Sequence, residues 1–362
     1  MHLVLGPKER FEAGGAGAFA LNVLETSQVS RWGPCITVFG SPVTRPFSGV
    51  VFQPLAPSRW SLRGRNLAMA KRYFEAVKYE FPDLVEIFNR PVMVDYLAKR
   101  LSSVPFVVHF GNDPRQMEGS RSVAQRLALL ARCAAIVCVS RFIRRCFLDG
   151  IAGSLHERVH VIHTGVERPA EFSAHKKRKI VFVGRIVRDK GVLELVRALT
   201  RVLPGNRAWS AEIIGARWFG NGPRTSTYEN EVAGAAAECD RIVVGGFRPH
   251  EQVVSALRGA SIAVVPSLWD DPFPRTALEA LAQGCALVCS DRGGLAEIGR
   301  HRALFLENIS VDSIADALER LMSNDSERLA LQRRGWEDFP FEVSRTTRQL
   351  DDLRAAIMER RP

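Results

Sequence analysis

Apolar positions along this chain follow two rhythms that alternate almost from end to end. Short runs rich in Val, Ile, Leu and Phe read as buried strands at residues 1–5, 35–39, 84–88, 104–109, 135–139, 179–184, 211–215, 242–247, 262–265 and 286–289. Between them the apolar residues fall three and four apart, as on the inner face of a helix, over 18–29, 59–80, 92–101, 121–134, 192–202, 249–258 and 275–283. The tail, 308–362, also reads as helices. Strands that are apolar throughout, each followed by an amphipathic helix, predict parallel sheets covered on both faces. The fold class expected is therefore α/β. At 362 residues, two such domains are the natural division. Residues 167–178, ERPAEFSAHKKR, have no apolar periodicity and are rich in charge, so they read as the linker. The expected domains are 1–166 and 179–340, with 341–362 as a closing helix. Residues 41–58, rich in proline, read as loops and edge strands, and 216–227 as an irregular loop.

Composition narrows the class. Hydrophobic residues make up 46% and charged residues 25%, as in an ordinary globular chain. The seven cysteines are scattered with no C-x-x-C pair, which argues against a disulfide framework or a zinc site and suits a reducing, cytoplasmic setting. The first apolar stretch is too short for a signal peptide, and no run approaches the roughly 20 residues of a membrane span.

Charge adds a partner. The net charge is +11, and residues 1–170 hold 22 Lys and Arg against 13 Asp and Glu. A basic first half suggests an anionic partner, either an acidic membrane surface at the inner face of the plasma membrane or nucleic acid. Arg63, Arg65, Lys71, Arg72 and Lys78, with Trp60 and Tyr73, make the 59–80 helix either an interfacial membrane helix or a surface helix packed on its own domain. Arg141, Arg144 and Arg145 follow a plausible N-cap, Ser140, and add to the same half. No nucleic-acid recognition motif accompanies this charge, so no nucleic-acid partner is expected.

The densest chemistry lies in 262–298, IAVVPSLWDDPFPRTALEALAQGCALVCSDRGGLAEI. A strand ends at Pro266, a loop carries Asp270 and Asp271, and Pro274 suits the first position of a helix. A helix N-terminus presents unpaired N–H groups and partial positive charge to a phosphate. The donors expected here are the amides of Arg275, Thr276 and Ala277. Glu279 shares their face one turn deeper. A carboxylate repels phosphate, so the pair suits a ligand with hydroxyls beside its phosphates, as in a ribose diphosphate. Asp271 is placed to grip a second hydroxylated ring. The bland alternative is a buried strand, a capping Asp271 and a surface Glu279.

Other stretches point the same way. Gly184-Arg185 and Lys190-Gly191 follow a strand and precede a helix, so two cations could clamp a diphosphate. Gly14-Gly15-Ala16-Gly17, between a strand and a helix, reads as a tight turn or a phosphate loop. His109 ends a strand, where open α/β sheets bind ligands, and reads as a sugar contact or a structural histidine.

These residues resemble glycosyltransferase family 4, the retaining enzymes of the GT-B fold with two Rossmann-like domains facing a central cleft. The resemblance rests on Asp271-Pro-Phe273-Pro followed by Glu279-Ala-Leu-Ala-Gln-Gly, on Ser290-Asp-Arg-Gly-Gly-Leu-Ala-Glu297, and on Gly184-Arg185-x4-Lys190-Gly. It is strongest over 179–298 and looser before residue 150. It departs at Asp271, usually Glu, and at Pro274, usually Gly, where one backbone N–H is lost; Arg275 is the residue placed to offset that loss. The resemblance implies that Arg185 and Lys190 hold the donor diphosphate, Glu279 the ribose, and Asp271 and His109 the donor sugar. It also implies that Gly14, Gly15, Gly184, Phe247, Phe273, Arg275, Thr276 and Ala277 line the donor site, with Arg248 an alternative to Phe247 at the base. The co-substrate expected is a nucleotide diphosphate sugar, UDP-linked in preference to GDP-linked, with no other cofactor. No Asp-x-Asp metal motif occurs, so no metal is expected. No carboxylate stands out as a covalent nucleophile, and same-face attack with the leaving phosphate helping to deprotonate the acceptor is the implied route. The implied acceptor is a glycan or lipid-linked molecule bound by the first domain, in bacterial surface-polysaccharide or lipopolysaccharide synthesis. Two rival readings are a nucleotide-sugar epimerase of the same fold and a non-catalytic sugar-nucleotide-binding scaffold.

Overall fold

The computed structural model describes residues 1–56, 64–217 and 225–360. The start of the expected basic helix, with Trp60 and Arg63, lies outside these residues, as does 218–224 of the expected loop. The chain divides into two compact units, residues 1–165 with 343–362, and 166–342.

The first unit runs β1 (His2–Val4), α1 (Ala18–Val29), β2 (Thr37–Gly40), β3 (Val51–Pro54), α2 (Arg65–Val77), β4 (Val85–Phe88), α3 (Val92–Ala98), β5 (Phe106–Phe110), α4 (Val123–Arg132), β6 (Ala135–Cys138), α5 (Arg141–Leu148) and β7 (Val159–Val161). The second runs β8 (Lys177–Val183), α6 (Val192–Val202), β9 (Ser210–Ile214), α7 (Thr227–Ala236), β10 (Ile242–Gly246), α8 (His250–Gly259), β11 (Ala260–Val265), α9 (Arg275–Ala282), β12 (Ala286–Ser290), α10 (Leu295–Gly299), β13 (Ala303–Leu306), α11 (Val311–Ser323) and α12 (Asp325–Glu337). The chain then returns to the first unit as α13 (Val343–Glu359).

Both sheets are wholly parallel. The first is ordered β3-β2-β1-β4-β5-β6-β7 and the second β10-β9-β8-β11-β12-β13. In each, the chain winds outward one way and then restarts beside its first strand. The strand order therefore reverses between β1 and β4, and between β8 and β11. Open α/β sheets bind ligands outside the carboxyl ends of the strands at such a reversal. Parallel strands need both faces covered, and the residues of β4, β5, β6, β11 and β12 are buried throughout.

Three elements escaped the sequence pattern, the first of them the three-residue strand β7. Helix α7 buries only Val232 and Ala236, too few to set a helical rhythm. Its signal was the reciprocal cap between Ser226 and Glu229. Strand β13 is a four-residue edge strand, too short to stand out. β8 begins at Lys177, inside the stretch read as linker, because β11 supplies a partner for Lys177 through Ala260.

The membrane reading of the basic helix meets a physical obstacle. Helix α2 turns Ala68, Met69, Ala70, Tyr73 and Val77 into its own unit. Tyr73, expected at an interface, is fully buried with its hydroxyl 3.0 Å from His2 Nδ1. The apolar face a membrane would need is consumed by the core, leaving Lys71, Arg72 and Glu75 outside. No helix of the described residues is long and apolar enough to cross a membrane. Arg144, read as surface charge, instead donates to the carbonyls of Val159 and His156.

Candidate active site

In the second unit, the loops leaving β8 and β11 are laced together at the reversal. Gly191 sits at φ +64°, and a Cβ there would lie 2.1 Å from the carbonyl oxygen of Pro266. Only glycine tolerates both the conformation and the approach. Leu268 donates its backbone N–H to the carbonyl of Asp189 at 2.8 Å. This lacing brings Lys190 against Asp271. Their side chains form an ion pair, with Asp271 only 5% exposed and accepting from Ser267 Oγ at 3.3 Å. The two residues expected to hold phosphate and sugar separately are thus partners. Lys190 also lies 5.5 Å from the ring centre of Trp269, whose indole N–H is buried and meets no acceptor among the described residues. Arg185, just past Gly184, is exposed, while Gly184 donates to the carbonyl of Ile214 at 3.0 Å.

Helix α9 starts one residue later than expected. Pro274 is the N-cap, not the first helical residue, and its carbonyl accepts from the amide of Ala277 at 3.1 Å. Ala277 is fully buried. Its amide therefore turns back into the helix, and the amides of Arg275 and Thr276 remain at the end of the helix. Arg275 does not reach outward to replace the N–H lost at Pro274. It is 8% exposed and donates from Nε to Glu279 Oε1 at 2.6 Å. His250, at the first position of α8, places Nε2 2.7 Å from the same oxygen. Glu279 is itself 5% exposed, so it is neither a surface acid nor a lone one. Burial alone raises its pKa, yet the charge of Arg275 and the contacts from His250 outweigh this and hold it below the usual carboxylate range.

Phe273 is buried and packs edge-on against Phe341 at 5.4 Å, so as a side chain it belongs to the core. The glycine loop after β12 acts by fit. Gly293 sits at φ +56°, and a Cβ there would lie 2.3 Å from the carbonyl oxygen of Asp271. Gly294 donates to that same oxygen at 2.7 Å. The loop thus braces the segment that carries Asp271. Phe247 is half-buried beyond β10, while Arg248 pairs with Glu212, which also binds Lys179 at 2.9 Å.

In the first unit, His109 is buried near the carboxyl end of β5. Its ring stacks on Phe88 at 4.3 Å, and Nε2 lies 2.9 Å from Glu86 Oε2. Glu86 is fully buried and held from its other side by Arg354 of α13, with Nε at 2.6 Å and Nη2 at 3.1 Å. Burial pushes Glu86 up, but Arg354 and His109 outweigh it and keep it well below the usual range. His109 is thus oriented by a buried ion pair, which leaves Nδ1 as the ring atom that can meet a ligand. Of the two expected glycines, Gly14 is exposed with open space around it and Gly15 is buried against the Arg10 side chain. The N-cap of α1 is Gly17.

Sequence reasoning missed His250, Ser267, Glu86 and Arg354. For His250 the signal was its place at the head of α8, beside α9; the others carry none that one sequence reveals. Among the described residues, no three His, Cys, Asp or Glu side chains gather as metal ligands.

Two family models match this chain, "Glycosyltransferase Family 4" over residues 30–168 and "Glycosyl transferases group 1" over residues 165–337. The chain is 25% identical over 281 residues to the Bacillus subtilis protein YtcC, covering 70% of this chain and 68% of that one. It is 31% identical over 157 residues to the lipopolysaccharide 1,2-N-acetylglucosaminetransferase of Salmonella typhimurium, covering 41% and 40%. Its fold is that of Anabaena HepE, solved with UDP and glucose, at a TM-score of 0.76 and 16% identity over 98% of this chain and 99% of that one.

Proposed function

The chain belongs to the group 1 glycosyltransferases, of the family 4 type and the GT-B fold, and on that footing we propose that it transfers a sugar from a UDP-sugar to a glycan or lipid-linked acceptor with retention of configuration. One observation carries this reading. At a single strand-order reversal, the second unit gathers a cation, two buried carboxylates and the N-terminus of α9.

The chemistry follows from the charges. Breaking the bond between the anomeric carbon and the distal phosphate leaves a diphosphate and a sugar with oxocarbenium character. Stabilising the developing negative charge is the main catalytic demand. Lys190, Arg185 and the amides of Arg275 and Thr276 supply it. Lys190 has three donors, so its contact with Asp271 leaves two for the phosphates. Asp271, held in place by Lys190 and Ser267, accepts from sugar hydroxyls. Glu279 spends Oε1 on Arg275 and His250, and Oε2 accepts from the ribose. The like-charge problem of a carboxylate beside a diphosphate is relieved because Glu279 arrives already neutralised by Arg275. Within the first unit, His109 has Nδ1 to offer to a hydroxyl of the acceptor. No step requires a metal. That HepE was solved with UDP favours UDP over GDP. The relation to a lipopolysaccharide transferase favours a role in surface-polysaccharide assembly.

Calorimetric titration of UDP, GDP and ADP, without added metal, tests the proposal. UDP is expected to bind wild type, and Glu279→Ala and Arg185→Ala to lose roughly tenfold or more in affinity, the loss of one charged contact. A folded wild type that binds none of the three rules the reading out. A labelled UDP-sugar then separates transfer from epimerisation and from binding without turnover.

A further inference from the structure

Helices α8 and α9 begin at the candidate active site with His250 and Arg275, and their opposite ends line a cavity of about 700 Å³ in the second unit. Arg258, in the last turn of α8, and Gln283, the C-cap of α9, form one wall. The irregular segment 169–175 that leads to β8 forms another, and Trp336 of α12 closes it. The segment is fastened in place. Lys176 donates from Nζ to the carbonyls of Arg258 at 2.8 Å and Gln283 at 2.7 Å. Gly284, at φ +73°, makes room for Phe172, since a Cβ there would lie 3.1 Å from the ring. The rings of Phe172 and Trp336 stand 5.8 Å apart at 55°, and the Arg168 guanidinium lies 4.3 Å from the Trp336 ring centre. Aromatic walls with a few polar groups among them are the usual lining of a small-molecule site.

Two lining residues supply the pointer to a ligand. Gln283 Oε1 and the indole N–H of Trp336 are buried and meet no partner among the described residues. Gln283 is 9% exposed. Folded chains pair nearly all such atoms, because a buried polar atom left unpaired costs stability. The two are of opposite kind, one acceptor and one donor. An anion has nothing to donate to Gln283, and an ammonium has nothing to accept from Trp336. A hydroxyl does both. Glu171 and Arg258 bring one charge of each sign to the cavity, so it favours neither anion nor cation. Hydroxyls beside an apolar ring face describe a sugar, which can pack that face on an aromatic side chain. Peptide amides also donate and accept, but an extended peptide docks by adding to a sheet edge. Strand β8, into which the segment runs, is already paired on both sides, by β9 and β11.

We propose that this cavity is a saccharide-binding site apart from the donor site. Gln283 Oε1 accepts from a sugar hydroxyl, the Trp336 N–H donates to one, and Phe172 packs against the ring. The occupant is a neutral oligosaccharide. Its role as the glycan on which the enzyme works rests on the transferase reading; the saccharide site itself does not. Gln283 stands one turn beyond Glu279, so a glycan held here is anchored on the helix that carries that carboxylate.

The test is calorimetric titration of maltotetraose, cellotetraose and chitotetraose into the full chain saturated with UDP, so that the donor site is filled. Wild type is expected to bind at least one of them. Gln283→Leu and Trp336→Phe each delete one polar atom and keep an apolar side chain in its place. Each should weaken that binding about tenfold, as loss of one hydrogen bond does, and leave UDP affinity unchanged. Melting without saccharide separates a ligand site from a structural one. Gln283→Leu removes an unpaired buried atom, so it should melt at or above wild type; a lower melting temperature would mean that the amide already serves the fold, and overturns the proposal. Binding of none of the three sugars, equal binding by wild type and both variants, or binding only when UDP is absent also overturns it. A chain that binds an oligosaccharide here but no nucleotide keeps the saccharide site and removes the transferase reading beneath its role.

Discussion

Glu279 shows how a residue suited to a ligand must first be suited to its own protein. A carboxylate this buried is tolerated because Arg275, one turn earlier, neutralises it and His250 Nε2 contacts the same oxygen. Its removal therefore has two consequences that separate by substitution. Glu279→Ala leaves the guanidinium of Arg275 buried without its carboxylate, a loss on the order of 3–5 kcal/mol. Glu279→Gln keeps an acceptor for Arg275, and should recover much of the melting temperature while still cutting kcat/KM for the donor. Equal melting losses in the two would mean that the carboxylate charge, and not the hydrogen bond, supports the fold. Gly293 supplies a second check. Gly293→Ala forces a Cβ toward the carbonyl of Asp271 at a positive φ. It should lower both stability and donor turnover without changing any group that touches the donor. Unchanged turnover would separate the brace from the chemistry.

At the scale of elements, α13 is the informative one. Its inner stripe, Val343, Thr346, Thr347, Leu350, Asp351 and Arg354, has helical spacing but is mostly polar. Such a stripe is stable when buried only because it is paired. Arg354 binds Glu86 and Asp351, and Asp351 in turn accepts from Ser30 Oγ at 2.7 Å and the Arg31 N–H at 2.9 Å. Arg354→Leu should cost about 3–5 kcal/mol by stranding Glu86 without a counter-charge. It should also lower activity through the orientation of His109. Wild-type melting and activity in this variant would dismiss the network. Acid provides the companion measurement. The folded chain holds the Glu86 pKa below its unfolded value, so the folded state binds that proton less readily. Its contribution is complete above the ordinary carboxylate value and is lost as pH falls toward the folded one. Glu86→Gln should flatten the dependence of melting temperature on pH below about 4.3, the ordinary Glu value. A slope as steep as in wild type would assign acid lability to other carboxylates.

At the scale of the molecule, each unit has its own sheet and its own core. The second is one continuous stretch, while the first needs a segment from the far end of the chain. Residues 166–342 expressed alone are therefore expected to fold and bind UDP about as the full chain does. Residues 1–165 alone should melt well below the full chain, because α13 is missing. A second unit that does not fold alone would show that its stability depends on the first.

The sequence by itself determined what local chemistry and periodicity can encode. Apolar strands alternating with amphipathic helices required parallel sheets, since nothing else buries both faces of such strands. The spacing from Gly184 to Lys190 and from Asp271 to Glu279 marked one candidate site, because loops after parallel strands share one edge. What tertiary structure decided was partnership. That Lys190 meets Asp271, that Arg275 turns inward to Glu279 beside His250, and that Arg354 crosses 268 residues of chain to hold Glu86 under His109 are long-range or rotameric facts. Periodicity tells which face of an element is buried, and only the packed fold tells which charges that burial brings together.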